Sequence, residues 1–251
     1  MSSRVTASYG TWRSPITARW AAQGSVRLGE LRRDAGATWW IESRPAEQGR
    51  AVIVRAGDGG TPRDVTPPEF DARSRVHEYG GGAYILYRGT VFFSHFPDQR
   101  LYRQDPGRQP QPITPEPPVP AGLRYADGRV TPDGRFIIAV RERHEVDSSV
   151  INELVTIPTD GSAAPQTIAS RRDFYAAPRI SPDGRWLCWL CWDHPLMPWD
   201  GTELWLAELG EDGSIGQARQ IAGGPSEAIT QPQWGPDGQL YFLSDRTGWW
   251  N

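Results

Sequence analysis

A four-residue phrase recurs along the chain: Thr131-Pro132-Asp133-Gly134, Ser181-Pro182-Asp183-Gly184 and Gly235-Pro236-Asp237-Gly238. Its copies lie about 50 residues apart, and each precedes an apolar, aromatic-rich run. The phrase is made of turn-forming residues, each with a backbone reason to be there. A fixed period of about 40–50 residues with short strands points to a β-propeller, built from blades of four antiparallel strands. The predicted fold class is therefore all-β.

Strand-like runs between the turns divide the chain into five repeats. The first, residues 26–67, has strands near 28–33, 38–42, 51–55 and 63–66, with Asp34-Ala35-Gly36 in the turn position. The second, 80–115, has strands near 83–87, 91–96, 100–104 and 111–114, with Arg88-Gly89 as its turn. The third, 123–170, places them near 124–130, 136–142, 153–157 and 166–169. The fourth, 174–223, places them near 177–180, 186–192, 203–208 and 218–222. The fifth, 227–251, shows only 231–234 and 240–244. Residues 26–251 thus read as about four and a half blades. Residues 1–25 read as a lead-in with a short helix over 16–23. Ser14 is its expected N-cap, Pro15 its first helical residue and Gly24 its stop.

Topology separates two faces. In an up-and-down blade with strands A to D, the A–B and C–D connections share one face. The B–C connections and the links to the next blade share the other. The first set is terse: the Pro-Asp-Gly turns, Thr159-Asp160-Gly161-Ser162 and Glu211-Asp212-Gly213-Ser214. The second set is longer and richer, at 71–82, 143–149, 193–202 and 245–251. Function concentrates in loops carried on a rigid scaffold. The candidate contact residues are therefore His77, Glu78, Tyr79, Trp199, Asp200, Arg246, Trp249 and Trp250.

Composition removes several classes of function. The formal net charge is -3, so a basic face for nucleic acid is not expected. The chain has no lysine, which excludes a Schiff-base lysine and a phosphate-loop lysine. No run reaches the roughly 18 apolar residues of a membrane span, and residues 1–10 carry no apolar signal region. A cytoplasmic protein is the expectation. Twelve tryptophans are expected to pack between blades. Cys188 and Cys191 are three apart on a predicted strand, so they point to opposite faces. No metal site, redox pair or cofactor is expected.

A search for catalytic groups finds none. The nearest approach to a nucleophile elbow, Gly224-Pro225-Ser226-Glu227-Ala228, lacks the final glycine and falls in an interblade link. His77-Glu78 lacks the second histidine of a zinc helix. Gly80-Gly81-Gly82 lacks the residues of a phosphate loop, and is expected to let an inner strand begin close to its neighbours. Trp192-Asp193 and Trp199-Asp200 both fall in one blade, unlike the pairs of WD40 repeats, which recur in every blade. Asp193, Asp200 and Glu203 read as solvated loop acids.

Longer phrases carry a family likeness. They are Ser14-Pro15-Ile16-Thr17, Arg75-Val76-His77-Glu78-Tyr79-Gly80-Gly81-Gly82, Asp98-Gln99-Arg100-Leu101-Tyr102 and Tyr125-Ala126-Asp127-Gly128-Arg129. Further ones are Asn152-Glu153-Leu154-Val155, Asp173-Phe174-Tyr175-Ala176-Ala177-Pro178-Arg179, the stretch 193–205, and Ser244-Asp245-Arg246-Thr247-Gly248-Trp249-Trp250-Asn251. Through them the chain resembles the N-terminal propeller of the prolyl oligopeptidase family of serine peptidases, in its bacterial acylaminoacyl-peptidase and dipeptidyl-peptidase-like branch. That resemblance implies a seven-bladed propeller beside an α/β-hydrolase domain that carries Ser, Asp and His. It implies a propeller that screens short peptide substrates and contacts the hydrolase domain. No catalytic residue of that family maps onto residues 1–251. The expected partners are the hydrolase domain and a peptide, and open blade edges are expected to favour self-association. The alternative is a non-catalytic propeller serving as an interaction scaffold, like TolB.

Overall fold

Several middle strands of this chain are apolar on both faces, and the fold buries both. The computed structural model describes residues 6–22 and 24–251; Met1–Val5 and Gln23, the last residue of the expected helix, lie outside them. Among the described residues, eighteen strands form four four-stranded sheets and one two-stranded sheet, each a meander in chain order. Blade 1 holds β1 (Arg27–Asp34), β2 (Ala37–Arg44), β3 (Arg50–Gly57) and β4 (Arg63–Asp64). Blade 2 holds β5 (Tyr84–Tyr87), β6 (Thr90–Ser94), β7 (Leu101–Gln104) and β8 (Gln111–Pro112). Blade 3 holds β9 (Leu123–Val130), β10 (Phe136–His144), β11 (Val150–Pro158) and β12 (Gln166–Ala169). Blade 4 holds β13 (Phe174–Ile180), β14 (Trp186–Trp192), β15 (Thr202–Glu208) and β16 (Arg219–Gly224). The half blade holds β17 (Ile229–Trp234) and β18 (Leu240–Ser244). The all-β propeller expected from the repeats is the observed fold.

Hydrophobic clusters lie between successive sheets. On β14, Leu187, Trp189 and Cys191 pack toward blade 3, against Ile138, Val140 and Leu154. The alternate residues Cys188 and Leu190 pack toward the half blade, beside Ile229. A strand alternates its side chains, so a run apolar at every position needs cover on both sides. The two cysteines accordingly sit in different clusters as buried free thiols. Burial pushes both thiols up to about 12, which keeps them protonated and inert.

The Pro-Asp-Gly turns are closed by their own side chains. In blade 3 the Thr131 hydroxyl donates to Asp133 at 2.6 Å and accepts from the Phe136 amide at 3.1 Å. Blade 4 repeats this with Ser181, Asp183 and Trp186 at 2.5 and 2.9 Å. Partial burial works against the charged form of Asp133. Its bonds from Thr131 and Arg135 outweigh that and pull it down to about 2.

Two expectations change. The helix, α1 (Ala18–Ala22), starts later than its proline suggests. Thr17 accepts from the Trp20 amide at 3.1 Å and acts as the cap, while Ser14 Oγ closes a separate turn with the Ile16 amide. The tryptophans range from buried to exposed, with Trp40, Trp186, Trp205 and Trp234 half-buried. Trp39, Trp189 and Trp192 are buried, but Trp12, Trp20, Trp199, Trp249 and Trp250 are exposed, so blade packing accounts for only part of the load.

The glycine triplet opens the inner strand of blade 2, as expected. Gly82 has φ +57°, and a Cβ there would stand 2.7 Å from the Asp127 backbone of the next blade. Gly82→Ala is expected to cost about 3 kcal/mol, combining left-handed strain with overpacking. Gly107→Ala is the control: its φ is +72° but its surroundings are open. It should cost about 1 kcal/mol. Urea unfolding of the two variants checks the difference, and equal losses would contradict the interblade contact.

Candidate functional site

The segment between blades 1 and 2 turns sharply at His77 and Glu78, both in the left-handed region with φ of 55° and 64°. The turn is closed by Glu78 N to Arg75 O at 2.9 Å and Gly80 N to Val76 O at 3.0 Å. It is also held from blade 3. The buried carboxylate of Glu142, on β10, accepts from the His77 amide at 2.6 Å. Its other oxygen lies 3.2 Å from His144 Nε2. Arg124, on β9, bonds Glu78 at 2.6 Å and Arg75 O at 3.1 Å. That bond holds the Glu78 carboxyl below its usual range.

The three candidate side chains of this turn go to different places. The His77 ring packs against Phe174 and Trp192 at 5.6 and 5.8 Å, and its Nε2 is buried without a hydrogen-bond partner. Tyr79 is 76% exposed. Glu78 faces solvent apart from its arginine.

The B–C connection of blade 4 is built around Arg172. This guanidinium reaches Asp193 at 2.8 Å and Glu203 at 2.6 Å, and Trp205 Nε1 also donates to Glu203. Asp193 and Glu203 are thus ion-paired rather than solvated loop acids. Asp200 accepts from the Met197 amide at 3.0 Å and shapes the tip, which leaves Trp199 63% exposed. Beyond β18, the Ser244 and Asn251 backbones pair at 3.0 Å and hold out Trp249 and Trp250. Arg246 is exposed in the same turn.

A cavity of about 500 Å³ runs along the inner strands. His77 and Tyr79 line it, as do Pro198 and Thr202 of the blade 4 connection. Glu78, Trp199, Asp200, Arg246, Trp249 and Trp250 lie outside its wall. The candidates therefore separate into a cavity pair and an exposed set.

The rest of the wall was not among the candidates. Four of the five inner strands break register at a residue with positive φ: Glu30, Asp127 and Ala177 in blades 1, 3 and 4, and Gln231 in the half blade. Two residues further on stand Arg32, Arg129 and Arg179, all in the cavity wall. Glu30 accepts from the Ala83 amide at 3.1 Å and Asp127 from the Ala177 amide at 2.9 Å, so each acid ties its blade to the next. The available signal was the shared spacing of Glu30 to Arg32, Asp127 to Arg129 and Ala177 to Arg179. Among the described residues no group of three or more metal-binding side chains occurs.

Burial holds the His77 imidazole below its ordinary value, against the opposing pull of Glu142 and Asp127. A lowered folded-state value means that the unfolded chain binds the proton more readily. The resulting stability is fully present above about 6.5 and is lost as pH falls from there through the lower folded-state value. Urea unfolding between about pH 8 and pH 5 should show a steeper acid loss in the wild type than in His77→Gln; parallel curves would contradict this.

No protein-family model matches the chain, and no match is found among curated proteins. Solved structures do match. A puromycin-hydrolyzing peptidase of Mycobacterium tuberculosis is 40% identical over 99% of this chain and 40% of its own, with a TM-score of 0.91. A puromycin hydrolase is 41% identical over 98% of this chain and 40% of its own, with a TM-score of 0.90. Prolyl oligopeptidase B of Galerina marginata is 14% identical over 90% of this chain and 35% of its own, with a TM-score of 0.58, a likeness of fold. The chain spans about 40% of the length of the puromycin-hydrolyzing relatives, and the part they share with it is this chain's propeller. Taken together, the blades, the inner-strand phrases and these likenesses show a β-propeller that matches part of the puromycin-hydrolyzing peptidases and shares its fold with prolyl oligopeptidases.

Proposed function

We propose that this chain is the substrate-screening and domain-contact portion of a serine peptidase acting on short peptides or aminoacyl amides. The catalytic Ser, Asp and His would lie in an α/β-hydrolase domain outside residues 1–251. The observation that carries this reading is the alignment over nearly the whole chain with puromycin-hydrolyzing peptidases more than twice its length.

The two groups of candidates support a division of labour. Trp199, Trp249 and Trp250 are large, exposed and carried by connections of one face. Exposed aromatics of this kind are the material of interface anchors. They would dock the hydrolase domain. His77 and the inner strands line the cavity that would admit a peptide. In this reading the enzyme works in the cytoplasm. Among the described residues no helix is long and apolar enough to cross a membrane.

The full-length protein should hydrolyse puromycin or an aminoacyl-coumarin amide. A fluorophosphonate should label one serine outside residues 1–251 and abolish that hydrolysis. Absence of both would overturn the reading in favour of a non-catalytic scaffold. Glu78→Ala removes one exposed ion pair and should cost under about 1 kcal/mol in stability. If the turn meets the hydrolase domain, the same variant should change kcat/KM by about tenfold or more, roughly 1.4 kcal/mol in the transition state. Unchanged kinetics would place Glu78 outside the contact.

A further inference from the structure

Three arginines from three inner strands meet in the cavity with most of their hydrogen-bonding capacity unused. Arg32 of β1, Arg129 of β9 and Arg179 of β13 occupy equivalent positions just after the register break. Their side chains are 26%, 25% and 18% exposed. Arg32 approaches Glu30 only to 3.5 Å, and its Nε is buried without a partner. Arg129 Nη1 donates to Gly128 O at 2.7 Å and lies 3.3 Å from Asp127. Arg179 Nη1 donates to Pro178 O at 2.8 Å and to Asp127 at 3.2 Å.

The acids cannot balance this charge. Glu30 and Asp127 each commit an oxygen to a backbone amide of the following blade. Three guanidinium groups face two carboxylates, which leaves one positive charge in excess. Burial, opposed by Asp127 and reinforced by Arg179 and Arg32, pulls Arg129 down to about 10. A buried excess charge is costly until an anion joins it. The remaining wall includes Val76, Val140, Leu190, Trp192 and Ile229. An apolar cavity of this size with a few convergent polar groups suits a small ligand.

We propose that Arg32, Arg129 and Arg179 form a carboxylate site that holds the C-terminal carboxylate of a short peptide inside the propeller. The planar guanidinium fork matches a carboxylate, and the single excess charge matches a monoanion. A peptide anchored this way points its other end away from the cluster. That the ligand is a peptide rests on the peptidase reading; the anion chemistry rests on the cavity alone.

The test is calorimetric titration of the full-length protein, after fluorophosphonate treatment, with tetra-alanine as the free acid and as its C-terminal amide. The free acid should bind about tenfold more tightly or better, as expected for a charge-assisted contact. Arg32→Gln and Arg179→Gln should each bring the ratio close to one and leave amide binding unchanged. Arg179→Gln deprives Asp127 of a partner; if it unfolds, Arg32→Gln decides, because that residue has only a loose ion pair and a stacking contact on Tyr84. Equal binding of acid and amide by the wild type overturns the site, as does a ratio that survives both substitutions. Inorganic phosphate titrated alone is a further arm. If it binds as tightly as the peptide acid, the peptide assignment falls. Labelling and hydrolysis without acid preference overturn the carboxylate site but not the peptidase reading. Acid preference in an untreated protein that neither labels nor hydrolyses overturns the peptidase reading and leaves the anion site standing.

Discussion

The fold depends on burial of both faces of middle strands such as β6, β10 and β14. Leu187, Trp189 and Cys191 face one way along β14, and Cys188 and Leu190 face the other. A single sheet could cover only one of these rows. Each blade therefore needs a neighbour on each side, and its own core is shared with both. Between blades 2 and 3 the same logic joins Phe92 and Leu101 to Tyr125, Ile137 and Val155. Leu28 and Leu31 of blade 1 and Tyr241 of the half blade are exposed.

Polar contacts then set how blades follow one another near the axis. All the inner strands but that of blade 2 break register at a left-handed residue. In blade 4 that break frees the Ala177 amide, which Asp127 of the preceding blade takes up, and Glu30 of blade 1 takes up the Ala83 amide at the entry to blade 2. Ser74 and Ser94 add donors to a single carbonyl, Tyr125 O, at 2.7 Å each. The same irregularity carries three arginines into the cavity. Interblade anchoring and cavity chemistry thus come from one local backbone feature.

Much of the fold was legible in the residues because turn chemistry and strand periodicity are local. The Pro-Asp-Gly turns close within six residues through Thr131 or Ser181, so their positions could be read without tertiary knowledge. The opposed faces of Cys188 and Cys191 followed from the two-residue repeat of a strand. The site was less legible. His77 and Tyr79 were found because their loop is chemically rich, but the position of His77 is set by Glu142, 65 residues away. Glu203 looked like a loop acid because Arg172, which neutralises it, lies 31 residues distant.

By itself, the amino-acid order determined the number of blades, their strands and the face that carries the long connections. Each of these follows from short-range signals: turn residues, alternation and loop length. Only the tertiary structure decided which charges meet. Arg32, Arg129 and Arg179 are separated by about a blade or two of sequence, and they share a cavity because the blades stack around one axis. A repeat makes equivalent residues converge, but the convergence becomes visible only when strands from different repeats are brought side by side.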